Sequence, residues 1–175
     1  MNHPFNFDQE KTIEVILYIA SKVPAAGFHC VSKVIYFADK AHLEKYGRFI
    51  SGDNYIAMKH GPVPSNTYDI LKGVRGDGIA CLAEPAKNAF SVENHYVIKP
   101  SRKVDLDYFS DSDLECLDEA INEYGSLPFN ELTQLSHDRA WESADENDNM
   151  GIEQIILTFS NPKPLLDHLN DPYPD

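Results

Sequence analysis

"KVIYFADKAHLEKYGRFISGDNYIAMKHGPVPSNTYDIL", residues 33–71, runs through a helix, a turn, an extended piece and a second helix without a break. The first part continues a helix that starts near His29 and runs to about Lys45. Val31, Val34, Ile35 and Ala38 recur at i, i+3, i+4 and i+7, which is one apolar stripe. Gly47 stops that helix. "SGDN", 51–54, has turn chemistry, and "YIAMK" reads as a short strand leading into His60-Gly61-Pro62. Pro62 and Pro64 fix φ near −65°, and Pro62 biases Gly61 away from the helical region. Together they should end the strand and aim Ser65 as the N-cap of "NTYDILKGV", a short helix with Tyr68 and Leu71 turned inward.

Upstream, Asp8 to Lys22 carries Ile13, Ile16, Leu17 and Ala20 on one helical face, with Asn6 or Asp8 as cap and Pro24 as stop. Downstream, Gly73, Gly76 and Gly78 break the pattern, and "IACLAE", "AFSVE" and "HYVIK" predict a small antiparallel sheet or hairpin. Ser110 should cap a helix over 111–124 with Leu114, Leu117, Ile121 and Tyr124 facing in. Pro128 suits the first turn of another helix, 128–138, whose inward residues would be Phe129, Leu132 and Leu135. "GIEQIILTF" fits strand or helix and reads better as helix. "NPKPLLDHL" predicts a short terminal helix and "NDPYPD" a frayed tail. The expectation is a mainly α (α+β) single domain over 1–175, of about six helices. Its small antiparallel β element lies near 54–60 and 79–99, its core spans about 8–158, and its tail is 159–175.

Charge is unevenly placed. Residues 1–103 hold 13 Lys/Arg against 10 Asp/Glu, whereas 104–175 hold 2 against 18. The acidic part should repel phosphate backbones and attract basic surfaces, which argues against nucleic-acid binding through it. Asp111, Asp113, Glu115, Asp118 and Glu119 therefore form either a solvated acidic face or a candidate partner surface, and the single tryptophan Trp141 reads as an anchor for the core or as a partner hot spot on that surface. No apolar run approaches the ~20 residues of a membrane-spanning helix. "MNHPFNFDQEK" lacks the basic-then-apolar layout of a signal peptide. Cys30, Cys81 and Cys116 are far apart and make no CxxC pair, so neither disulfides nor a zinc knuckle is expected, and the cytoplasm is the expected location.

The residues that could carry chemistry are few. At 100° per residue, His42 lies about 20° from Ile35, on the apolar stripe, and Asp39 lies about 40° to its other side. As i, i+3 neighbours the two can touch. A carboxylate against an imidazole is how a general base is built, and equally how a buried histidine is satisfied. A metal site would need His60, His42, Asp39 and His137 to converge, and no pair has HExxH or HxH spacing; no metal or cofactor is expected. There is no GxSxG, GxGxxG or P-loop, and "GVRGDG" has the wrong spacing for one.

The order of residues in 33–71 resembles the signature of the Panacea domain, the SocA-like antitoxin family, also described as phage-associated protein. The matching positions are Tyr36, Asp39, His42, Gly47-Arg48, Gly52-Asp53, Tyr55, Gly61-Pro62-Val63 and Tyr68, with His60 beside them. The first helix and "AWESADENDN" also fit the family's layout. The resemblance implies a non-catalytic antitoxin of a toxin–antitoxin system. Its partner would be a cognate protein toxin, neutralised by direct binding or handed to a protease. Two other readings stay open: a small metal- or His/Asp-dependent enzyme built on Asp39, His42 and His60, and a DNA-binding repressor of its own operon.

Overall fold

The computed structural model describes residues 3–171, so most of the tail "NDPYPD" lies outside the described residues. In chain order the elements are α1 (Gln9–Lys22), α2 (Phe28–Tyr46), β1 (Tyr55–Met58), β2 (Gly61–Pro64), α3 (Ser65–Arg75), α4 (Ala80–Ala83), β3 (Phe90–Glu93) and β4 (Val97–Pro100). A 3-10 turn at Leu106–Tyr108 leads to α5 (Asp111–Tyr124), α6 (Phe129–Ser136), α7 (Arg139–Glu142), α8 (Ile152–Ile156) and α9 (Lys163–Asn170). Among the described residues the fold is mainly α, with two small antiparallel hairpins, β1–β2 and β3–β4. No helix among them is long and apolar enough to cross a membrane.

Helix α2 organises the molecule because it is buried on more than one side. Val31, Val34 and Ala38 pack with Ile16 and Leu17 of α1, Leu71 of α3 and Leu117 of α5. Tyr36 and Leu43 instead join a second cluster with Tyr55 of β1 and with Ile152, Ile155 and Ile156 of α8. An apolar stripe alone describes the first cluster; the second needs the C-terminal third to fold back. Helix α5 starts as its sequence predicts, with Ser110 and Asp113 bonding each other's backbone amides in a capping box.

Four expectations are corrected by the structure. "IACLAE" contains the one-turn helix α4 rather than a strand; only Phe90–Glu93 and Val97–Pro100 pair. Gly61–Pro64 does not end a strand but is one. It pairs with β1 from Met58↔Gly61 to Tyr55↔Pro64, so the turn is Lys59-His60. Two prolines are tolerated there because β2 is an edge. The other side of β1 is taken by the loop near Asn149, with Ala57 N–H donating to the Asp148 carbonyl at 2.9 Å. Ser65 is the first helical residue of α3 and caps nothing with its side chain. Phe129 and Leu135 face outward, about half exposed, while Leu132 alone of that trio is buried.

Candidate functional site

The 33–71 motif divides into an inner polar network and an outer turn. Asp39, His42, Asp53 and Tyr55 are fully buried. Asp39 accepts hydrogen bonds from the Ile50 amide (2.7 Å) and the Tyr55 hydroxyl (2.6 Å). It ties the loop after α2 and strand β1 to the helix. Burial pushes its carboxyl up to about 7, and raises the Tyr55 hydroxyl well above its ordinary value. Asp53 serves as the cap that Ser65 does not supply. Its Oδ1 accepts from the Asn66 amide at 3.0 Å, and its Oδ2 from the Thr67 amide at 2.8 Å and hydroxyl at 2.7 Å. Gly52, at φ 72°, precedes it in a turn against which the Asn6 carbonyl lies too close for any Cβ.

His42 and Asp39 do not form the pair that their helical spacing allows: among the described residues no hydrogen bond joins them. The His42 Nδ1–H donates to the Arg48 carbonyl at 2.9 Å, and Nε2 meets Ser112 Oγ at 3.0 Å and Asp113 Oδ1 at 3.2 Å. The carboxylate beside the imidazole therefore comes from α5, a neighbour invisible to helical periodicity. Asp113 is also held by Lys11 Nζ (2.6 Å), Arg48 Nη2 (2.9 Å) and the Ser110 amide (2.9 Å). Burial works to raise its pKa, but the bonds from His42, Lys11 and Ser110 outweigh that and hold it well below the carboxylate range.

Asp113 thereby leaves the candidate partner surface, since it is fully buried and saturated with donors. The remaining acids of α5 stay outside. Asp111 is exposed, Asp118 accepts from Lys22 at 2.7 Å, and Glu115 and Glu119 share Lys45 at 3.0 and 2.7 Å. Trp141 is half-buried, stacked on His137 at 3.7 Å, and donates from Nε1 to the Met58 carbonyl at 3.0 Å. It anchors α7 to the β1–β2 hairpin. Sequence reading missed Asp138. That residue caps α7 through Oδ1 while Oδ2 accepts from Tyr36 (2.8 Å) and Lys40 (2.6 Å). Its only signal was the Asp at the head of "DRAW".

Between α2 and α5 runs a groove of about 340 Å³, to which Leu135 of α6 and Phe159 after α8 also contribute. Phe37 and Tyr124, stacked with ring centroids 3.9 Å apart, are among its lining residues. Glu44, Glu119 and Glu123 line it together with the Lys40–Asp138 ion pair, so carboxylates outnumber the one ammonium four to one. That excess of negative charge suits a basic partner. The outer motif residues His60, Gly61, Val63 and Tyr68 line a different cavity, on the far end of α2. Asp39, His42 and His60 thus have separate surroundings. Among the described residues no group of three or more His, Cys, Asp or Glu could hold a metal ion.

No curated protein and no solved structure matches the chain. A family model does, that of the antitoxin SocA-like Panacea domain, over residues 31–142. The match begins in α2, contains the inner network except Lys11 and ends with α7. On that match, which spans well over half the sequence, the chain belongs to the SocA-like antitoxin, Panacea-domain family.

Proposed function

We propose that this protein is the antitoxin of a toxin–antitoxin pair and neutralises its toxin by direct binding, without catalysis. A basic segment of the toxin would lie in the α2–α5 groove. The observation that carries this is the coincidence of the family match with the groove: Phe37, Glu44, Glu119, Glu123 and Tyr124 all fall within 31–142. The acidic excess after residue 104 supports it, because it supplies the field that steers a basic partner. Groove residues Glu44 and Glu123 belong to opposite walls, so reversing both should repel a cation from either side.

The test is co-expression with the product of the adjacent gene. That product alone should arrest growth, and this protein should restore it while the toxin's level stays constant. Glu44→Lys with Glu123→Lys should abolish rescue and leave the melting temperature close to that of the original protein. A toxin that disappears on co-expression would place the protein in the protease-adaptor mode instead. Rescue undiminished by the double reversal would remove the groove from the interface. A neighbour that is harmless alone, or toxic regardless, would end the antitoxin reading.

A further inference from the structure

The cavity at the other end of α2 has a chemistry unlike the rest of this acidic chain. It measures about 520 Å³, within the size range of small-molecule sites, and lies between the start of α2, the Lys59-His60 turn and α6. Its walls are aromatic. Phe28 meets Tyr68 and Tyr96 edge-on at 6.3 and 5.8 Å, and Phe129 stacks on His29 at 4.0 Å and takes His60 edge-on at 5.2 Å. Among the described residues no Asp or Glu lines it, although the chain carries a formal charge of −13.

Lys33 lines the same cavity while being only 1% exposed. Its ammonium has three donors. One is used, to the Pro62 carbonyl at 2.8 Å, and among the described residues no carboxylate pairs with it. The turn closes tightly over the amine: Gly61 has φ 99°, and a Cβ there would fall 3.1 Å from Lys33 Nζ and 2.4 Å from Ser136 Oγ. Burial without a counter-charge lowers the Lys33 pKa to about 7, so the amine would gain from an anion beside it. Gly27 and Phe28, at the start of the 19-residue helix α2, also line this cavity, and the Phe28 amide there donates to the Tyr96 carbonyl at 3.0 Å.

We propose that this cavity is a binding site for a small flat organic anion, an aromatic carboxylate. The carboxylate pairs with the Lys33 ammonium, and the ring lies between the Phe28, Tyr68, Tyr96 and Phe129 side chains. The site is independent of the toxin-binding reading, because the cavity shares no lining residue with the α2–α5 groove.

The test titrates benzoate and phenylacetate into the isotope-labelled full chain, with benzamide as the neutral match in shape. Benzoate should shift the amides of Ser32, His60, Gly61 and Val63 saturably and bind about tenfold more tightly than benzamide, the scale of one charged hydrogen bond. Lys33→Met keeps the volume and removes the charge, so it should bring benzoate down to the affinity of benzamide. Phe129→Ala, at a half-exposed position, should weaken both probes alike. No saturable shift, equal binding of benzoate and benzamide, undiminished benzoate binding to Lys33→Met, or binding indifferent to Phe129→Ala would each overturn the proposal. If Lys33→Met fails to fold, the benzoate–benzamide difference and the Phe129→Ala arm still decide it.

Discussion

Asp39 accepts two short hydrogen bonds in a fully buried site, yet its carboxyl is pushed up to about 7 because burial outweighs them. A folded-state value above the ordinary one means that the native protein binds the extra proton. The contribution of Asp39 is therefore complete below the ordinary carboxyl range, about pH 4, and is lost as pH rises through 7. Asparagine at this position keeps the shape but presents an amide N–H₂ to one of two donors. Asp39→Asn should cost about 1–3 kcal/mol at pH 5. The deficit should shrink by pH 8, where the native carboxylate bears its own burial cost. Urea melts of both proteins across that range check this, and a deficit that grows with pH would contradict it. Lys33 behaves in the opposite sense. Its lowered folded-state value makes stability rise between about pH 7 and the ordinary lysine range, and Lys33→Met should flatten that rise. The polarity of Asp39 and His42 on an apolar stripe was legible in the sequence. Their partners were not, because Tyr55, Ser112 and Asp113 arrive from other elements and leave no periodic trace.

At the scale of elements, α3 is started by a residue outside it. Asp53 reaches the Asn66 and Thr67 amides and the Thr67 hydroxyl, while Ser65 spends only its amide, on the Asn54 carbonyl. Asp53→Ala should then cost about 2 kcal/mol or more, at the upper end for a lost cap, because it leaves buried donors without an acceptor. Ser65→Ala should be close to neutral. Thermal melts of the two variants separate these assignments, and an equal loss for both would restore Ser65 as the cap. The sequence shows a turn, an edge and a helix in that order, but "GDN" and "PS" both carry cap chemistry. Only the closure of β1 onto β2 brings Asp53 to the helix end. The same closure explains why "GPVP" looked like a stop signal: prolines punctuate most strands, and an edge strand with its other side free is the exception that permits them. The outward Phe129 is accounted for likewise, since its stacking partner His29 is a hundred residues away.

Over the whole molecule, the charge asymmetry first serves the fold. Lys11, Lys22, Lys45 and Arg48 of the first half meet Asp113, Asp118, Glu115 and Glu119 of α5, so the acidic half is fastened to the basic one. Composition made the asymmetry visible but could not say how much of it is consumed internally. Most of these pairs are exposed on at least one side, and such pairs contribute only about 0–1 kcal/mol each. Salt should therefore move the melting temperature by only a few degrees, at about 2–4 °C per kcal/mol for a chain of this size. The groove acids face the opposite case if a basic toxin segment lies among them. Electrostatic steering and the attraction across the groove are both screened once the Debye length falls below about 10 Å. Between low and high salt the affinity for the toxin should fall about tenfold or more, chiefly through slower association, while the fold stays nearly as stable. Association rates and melting curves measured on the same samples separate the two. An affinity insensitive to salt would take the acidic groove out of toxin binding, and a melting temperature that collapsed in parallel would show that the ion pairs between the halves hold the fold together.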